Sequence, residues 1–465
     1  MTVFLYLFFS FLNLQVTNMK SFLIKIKLKN TSLPFLRILS VFIVLSTASC
    51  AKKQQITPHK TTPMHFHIDS VHVTLYRIKH PKTINAVFLN ALHPVYNPQL
   101  SKMALKLAIS STPEGYTENS WKEAKKEVSF RITSSTQGGW ESIGASWNAK
   151  YSERGLILFL KTVSSIKFNF SSWKTLASQE EINIAEKEQK PSFLFETGLK
   201  FLLAQKTYSP VSSLSQLQKL DFFAVRQYAK NNFTQTAHAL FITGNLSSST
   251  IIKYIRSVFK TTKIGYKQPF WFPPPKFSPK PEVMTITLPL QEYSLVSCGF
   301  AIPAEEYEFW KYVAKYYASQ YAKLQNTLFN SSIYLGPLPY VILTWYGNSV
   351  LLKKQMEQLH SYIYSDLFFP TLFSNYRKYA LKLQKSYSKK PDLILNKLIF
   401  NFKYGLIGYN KQFFADKIPS RSKAFLEWKK LLKSAKCVMS SPSGFQNIKP
   451  FTFKLSTENQ ADDNK

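Results

Sequence analysis

The 465-residue chain is short of cysteine, glycine and acid, and it has no apolar run long enough to cross a bilayer as a helix. Its three cysteines, Cys50, Cys298 and Cys437, exclude a disulfide-built scaffold and give no zinc-finger spacing. If Cys50 is consumed elsewhere, one pair remains, and spacing alone leaves open whether it bridges. With 60 basic against 26 acidic residues the net charge is +34. That sign favours anionic partners, although a lysine-rich solvated surface accounts for it equally well. No five adjacent Lys or Arg occur, and no basic stripe is interleaved with aromatics, so the charge does not point to nucleic acid. Also missing are His-x-x-Glu-His, a Gly-x-Ser-x-Gly elbow and a phosphate-cradling glycine loop.

What is present describes a folded protein. Hydrophobic residues make up 45% and charged residues 18%, with 38 Phe and 25 Tyr to build cores. The length suggests two to three domains.

Residues 1–50 read as a targeting segment. The apolar run at 38–48 has signal-peptide length, follows Lys20, Lys25, Lys27, Lys29 and Arg37, and leads into Thr47-Ala48-Ser49-Cys50. Those five basic residues are unaccompanied by acid, so the remainder of the chain keeps +29. Small residues before a cysteine resemble a bacterial lipoprotein signal, with Cys50 as the lipidation site, although Thr47 stands where that pattern prefers Leu. An earlier apolar run, Val3 to Val16, precedes Met19, and a start at Met19 gives a conventional signal. The competing reading is a retained two-helix anchor, against which both runs fall short of the ~20 residues a span needs. The expected location is the bacterial cell envelope, membrane-anchored and facing the periplasm or exterior, with a polar tether at 51–64.

Six prolines between Pro269 and Pro281 forbid helix and central strand, making 266–282 an extended linker. It separates a domain at 65–265 from one at 283–450, with a polar tail at 451–465. In the first half, strands are expected at His67–Ile78, Asn85–Leu92 and Gly155–Val163, then a helix at 213–232 and a strand at Ala237–Thr243. A helix with Ile251, Ile252, Ile255, Val258 and Phe259 on one face follows. The second half repeats the order, with a strand at Tyr293–Ile302, a helix at Glu305–Leu324, a strand at Tyr340–Tyr346 and a helix from Val350 to Leu367. The fold class read from this order is α+β, a duplicated pair of α/β-sandwich halves.

The run Leu220 to Phe233, followed by Ala237 to Leu246 with its Gly244-Asn245 turn, resembles the insulinase/pitrilysin family of zinc peptidases, which includes mitochondrial-processing-peptidase-like proteins. The Pro303 entry and Gly336-Pro337-Leu338-Pro339-Tyr340 resemble that family's second domain. The resemblance spans roughly 65–440 and implies a clam-like architecture in which homologous halves enclose a chamber for extended peptides. It also implies a zinc site on the helix Gln99–Thr112, where Lys102 and Lys106 occupy the two His positions and Leu105 the catalytic Glu. A protonated Lys has no lone pair for zinc, and Leu105 cannot take a proton from water. Glu186, on an acidic helix at 179–188, is the residual match to the third ligand. Tyr340 matches a substrate-binding Tyr, but no Arg occurs between Arg256 and Arg377 to serve as its partner.

Outside that pattern, His65 and His67 lie on one strand face, where two imidazoles could share a metal, although an exposed first strand explains them as well. Cys298 sits in an apolar strand and reads as inert core. Three functional readings follow. The first is an exported insulinase-like pseudoenzyme, without catalytic residues or cofactor, that binds extended peptides or partners an active homologous subunit. The second is an active zinc metallopeptidase with a diverged site. The third is a structural envelope lipoprotein.

Overall fold

The computed structural model describes residues 63–441 except 69–70, 92–97, 138, 165, 204–212, 236–237, 260–281, 288–293, 326–327, 337, 348–367, 388–389 and 407–417. Cys50, the tether, the proline run and the C-terminal tail lie outside the described residues, as does the helix expected at Val350–Leu367. Among the described residues no helix is long and apolar enough to cross a membrane.

The chain begins with strands β1 (Met64–Ile68) and β2 (Val71–Arg77). They pair antiparallel, Ile68 opposite Val71, so the single strand expected at His67–Ile78 is a reversal between two strands. Strand β3 (Thr83–Ala91) leads to helix α1 (Pro98–Ser110). A two-residue strand β4 (Thr112–Pro113), helix α2 (Glu118–Glu127) and the strands β5 (Arg131–Gln137) and β6 (Trp140–Asn148) follow. Helix α3 (Ser152–Ser164), the short β7 (Ile166–Lys167), and helices α4 (Phe170–Glu188) and α5 (Pro191–Leu203) come next. The half closes with α6 (Leu214–Gln218), α7 (Phe222–Gln235), β8 (His238–Gly244) and α8 (Ser248–Phe259).

Two expectations are corrected here. Gly155–Val163 is helical, within α3. All of its residues but Ile157 and Lys161 are buried, which leaves too narrow a polar stripe to reveal a helix, and a short apolar run fits either period. Gly155 is required by contact, since a Cβ there would come within 2.1 Å of the Trp147 indole. The helix expected at 213–232 is two helices, broken where Asp221 accepts a hydrogen bond from the Ala224 amide at 2.7 Å and caps the start of α7.

The second half contains β9 (Glu282–Thr287), β10 (Ser294–Ala301), α9 (Tyr307–Gln325), β11 (Leu328–Leu335) and β12 (Pro339–Gly347). Helices α10 (Phe368–Tyr387), α11 (Pro391–Lys403) and α12 (Arg421–Lys433) precede the last strand, β13 (Lys436–Ser441). The first sheet runs β1-β2-β8-β3-β6-β5 and the second β11-β12-β10-β13-β9. Set aside β1 and the two orders superpose in reverse. In each, one parallel pair at the edge (β2 with β8, β9 with β13) is followed by antiparallel neighbours. This is the duplication that the repeated element order implied.

Each sheet has two apolar faces. One is covered by helices of its own half, around Leu105, Trp147 and Phe159 in the first and around Phe309, Trp310 and Trp428 in the second. The other face is covered by a helix from the opposite half. Ile394, Leu395, Leu398 and Phe402 of α11 pack on Tyr76, Leu89, Trp140 and Phe241 of the first sheet. Phe195, Leu199, Leu202 and Leu203 of α5 pack on Leu295, Tyr340, Ile342 and Val438 of the second. The C-terminal carbonyls of α5 find partners across this join, Leu203 O from the Tyr340 hydroxyl at 2.8 Å and Leu202 O from Lys436 Nζ at 3.3 Å.

Cys298 of β10 lies directly opposite Cys437 of β13, and the two form a disulfide closing 139 residues of sequence. Cys298 is therefore core, as expected, but bonded. One residue on, Gly299 makes room for α5, since a Cβ there would stand 2.6 Å from Leu203 Cδ2. Gly299→Val is expected to destabilise the protein by about 1–3 kcal/mol through overpacking. Leu203→Ala in the same chain should recover part of that loss, which urea midpoints of the four proteins in a double-mutant cycle will measure.

Candidate functional site

Helix α1 is the most enclosed helix of the first half. Gln99, Ser101, Met103, Ala104, Leu105, Leu107 and Ala108 are all buried, leaving Lys102 and Lys106 as its half-exposed stripe. Spacing i, i+4 puts both lysines on one face. That face meets α4, where both ammonium groups ion-pair with Glu180, Lys102 at Oε1 and Lys106 at Oε2. The carboxylate is only 2% exposed while the lysines are 31% and 33% exposed, so the anion is enclosed and the cations cover it. Burial pushes the Glu180 carboxyl up, but the hydrogen bonds and charges of the two lysines outweigh it, and the net shift is downward.

A second buried carboxylate lies at the start of the same helix. Glu141 on β6 is 1% exposed and accepts from the Tyr228 hydroxyl at 2.5 Å, with Ser101 and Asn90 as further polar neighbours. Here burial dominates, and the carboxyl is raised despite the polar groups around it. Two buried glutamates beside one helix are thus shifted in opposite directions, one held by charge and the other set among neutral polar groups.

The expected site residues separate in the structure. Lys102 and Lys106 share one face, and Leu105 is 1% exposed in the apolar core. Glu186 is exposed and lies six residues beyond the carboxylate that meets the lysines. The acid that meets the two lysines is Glu180, which the sequence reading did not name. Its signal was available, because Glu180 shares a buried stripe of α4 with Trp173 and Ile184, and a carboxylate on a buried stripe requires a partner. Tyr340 is buried, and its hydroxyl is committed to Leu203 O at the join between the halves. His65 and His67 do share a face, with His72 of β2 beside them.

The donors at the α1–α4 face do not fit zinc. Two ammonium groups have no lone pair to give, and the one carboxylate is already neutralised. Among the described residues no group of three or more His, Cys, Asp or Glu could hold a metal ion.

By sequence, no family model and no curated protein matches the chain. By structure it is similar to M16-type peptidases. The peptidase M16 inactive domain from Pseudomonas fluorescens superposes with TM-score 0.65 at 11% identity, over 82% of this chain and 98% of that one. A protease from Helicobacter pylori gives 0.63 at 12%, over 82% and 100%. The periplasmic protease PqqL from Escherichia coli gives 0.63 at 13%, over 82% of this chain but only 45% of its own. Identities this low carry the fold, and the fold is the insulinase-like M16 architecture that the sequence resembles.

The two glutamates predict opposite pH behaviour. The depressed carboxyl of Glu180 contributes stability above the unfolded carboxylate value, and that contribution fades as pH falls through the folded one. Glu180→Gln should therefore cost about 1–3 kcal/mol near neutrality, with the gap from wild type narrowing in acid. The raised carboxyl of Glu141 contributes in acid and loses its contribution as pH rises through the folded value. Glu141→Gln should accordingly gain on wild type as pH rises, and urea unfolding between pH 4 and pH 8 checks both slopes.

Proposed function

We propose that this chain is an exported, lipid-tethered M16-fold protein without a hydrolytic zinc centre, which holds extended peptide segments as the non-catalytic partner of an active homologous subunit. The observation that carries the reading is the Lys102–Glu180–Lys106 cluster. A zinc ion with two neutral imidazoles and one carboxylate has a net charge of +1, and so do two ammonium groups with one carboxylate. The lysines replace the ion's electrostatic role at the buried acid and leave the helix packing satisfied. They supply no Lewis acid and no polarised water, and Leu105 supplies no base.

Pairing is favoured by size. The chain covers 45% of PqqL, so a protein of that length has room for two such units and this chain provides one. Exposed sheet edges suit the addition of an extended peptide strand, the usual way a sheet captures unstructured segments. Export is supported by the N-terminal 1–50 segment and by the Cys298–Cys437 disulfide, a bond that persists in oxidising compartments. Cys50 is the proposed lipid attachment point.

The purified protein is expected to leave unfolded casein and peptide libraries intact, with and without a chelator. Chelator-sensitive cleavage by the purified chain would overturn the assignment in favour of a diverged active peptidase. Cys50→Ser should move the protein from the membrane fraction to the soluble one, as fractionation and blotting will show. Release of wild type by moderate salt alone would instead mark charge-driven attachment.

A further inference from the structure

Helix α10 carries Arg377, Lys378, Lys382 and Lys385 and no acidic residue. Lys378 and Lys382 stand at i, i+4 and Lys382 and Lys385 at i, i+3, spacings at which like charges repel. Part of this helix forms one wall of an open groove of about 800 Å³, and residues 418–421, leading into α12, form the other. Phe373, Arg377 and Leu381 recur at i, i+4 and i+8, so one stripe of α10 lines the groove, with Lys378 beside it. Arg421 adds a third cation from the opposite wall, and among the described residues no acid lines the space.

These cations differ from their neighbour on α12. Lys423, two residues beyond Arg421, is committed to Glu306 and Glu427. Among the described residues Arg377 and Lys378 enter no ion pair. Apolar surface stands beside the charge, since Leu381 and Ile418, on opposite walls, are each 43% exposed. Both walls are held. Phe373 is half-buried and packs on Phe309 at 5.3 Å, while Pro419 is buried. Ser420 caps α12 by accepting from the Lys423 amide at 3.3 Å, which brings the positive end of that helix dipole to the groove as well.

A small inorganic anion would use the cations and leave the two aliphatic side chains in water. An anionic lipid uses both. Its phosphate accepts from the ammonium and guanidinium groups, and the methylenes next to the headgroup cover Leu381 and Ile418. The volume lies within the range of small-molecule sites and suits a headgroup with the first part of its chains. We propose that the α10–α12 groove binds the phosphate headgroup of an anionic phospholipid, with Arg377, Lys378 and Arg421 on the phosphate and Leu381 and Ile418 against the upper chains. The groove gives the folded body a lipid contact of its own, which does not depend on the tether proposed at Cys50.

The test is native mass spectrometry of the full chain in neutral detergent, titrated with dioleoyl phosphatidylglycerol. One lipid should bind. Arg377→Gln combined with Lys378→Gln should weaken that binding by about tenfold or more, and Arg377→Lys alone, which keeps the charge, should weaken it less. Lys122→Gln combined with Lys126→Gln removes the same charge from exposed positions on α2 and should leave binding unchanged. Dioleoylglycerol, with the same chains and no phosphate, should bind about tenfold more weakly. Leu381→Gln combined with Ile418→Gln should weaken the lipid by about threefold or more and leave calorimetric binding of inorganic phosphate unchanged. All the substituted side chains are exposed, so melting curves should match wild type. The proposal is overturned if the groove variants hold the lipid as wild type does, if the α2 variant loses as much, or if dioleoylglycerol binds equally. Inorganic phosphate held as tightly as the lipid would overturn it in favour of a free-phosphate site. Displacement of the lipid by an equal concentration of hexaglutamate would overturn it in favour of an acidic protein partner. No groove residue belongs to the α1–α4 face, so each of these outcomes leaves the non-catalytic reading to the cleavage assay.

Discussion

Neither sheet of this protein can bury both of its faces with helices of its own half. Everything else in the architecture accommodates that constraint. Helix α5 leaves the first half to cover the second sheet, and α11 returns to cover the first. The exchange places specific demands on sequence, including a glycine where α5 presses on β10 and a lysine and a tyrosine to receive the last carbonyls of α5. The two halves are consequently one compact unit from Thr61 onward, although the sequence order reads as two repeats.

The α1–α4 face is best understood as a solved electrostatic problem. A buried carboxylate is costly unless it is paired, and pairing it with a single exposed lysine gives little. Two ammonium groups one helical turn apart, each taking one oxygen, enclose the charge from both sides. Beside that cluster, position 105 is packed among Phe159, Met103 and other core residues. A carboxylate placed there would be desolvated by its surroundings.

Much of the fold was legible because strands and amphipathic helices keep their periods. The strands at 83–91, 238–244, 294–301 and 339–347 and the helices at 98–110, 248–259 and 307–325 fall close to where periodicity puts them. Periodicity failed where burial is uniform. In Gly155–Val163 only Ile157 and Lys161 escape full burial, too narrow a face to reveal the helix. The site was half legible. Lys102 and Lys106 announce a shared face by spacing, but the carboxylate they meet, Glu180, lies 74 residues beyond Lys106, and the acidic segment drew attention to Glu186. The Cys298–Cys437 bond was undecidable because register between β10 and β13, separated by 139 residues, is a tertiary fact.

The helix exchange also sets an order of events in time. The apolar face of α5, complete at Leu203, rests on a sheet whose strand β13, lying between β10 and β9, is not made until Lys436 and beyond. At synthesis rates of about 5–20 residues per second, that gap of more than 230 residues amounts to roughly ten to fifty seconds. Through that interval the first half holds an uncovered sheet face and an undocked apolar helix, so it cannot finish folding on the ribosome ahead of the second. Such a chain remains a threadable polymer for most of its synthesis. The fold therefore closes only when its last strand arrives.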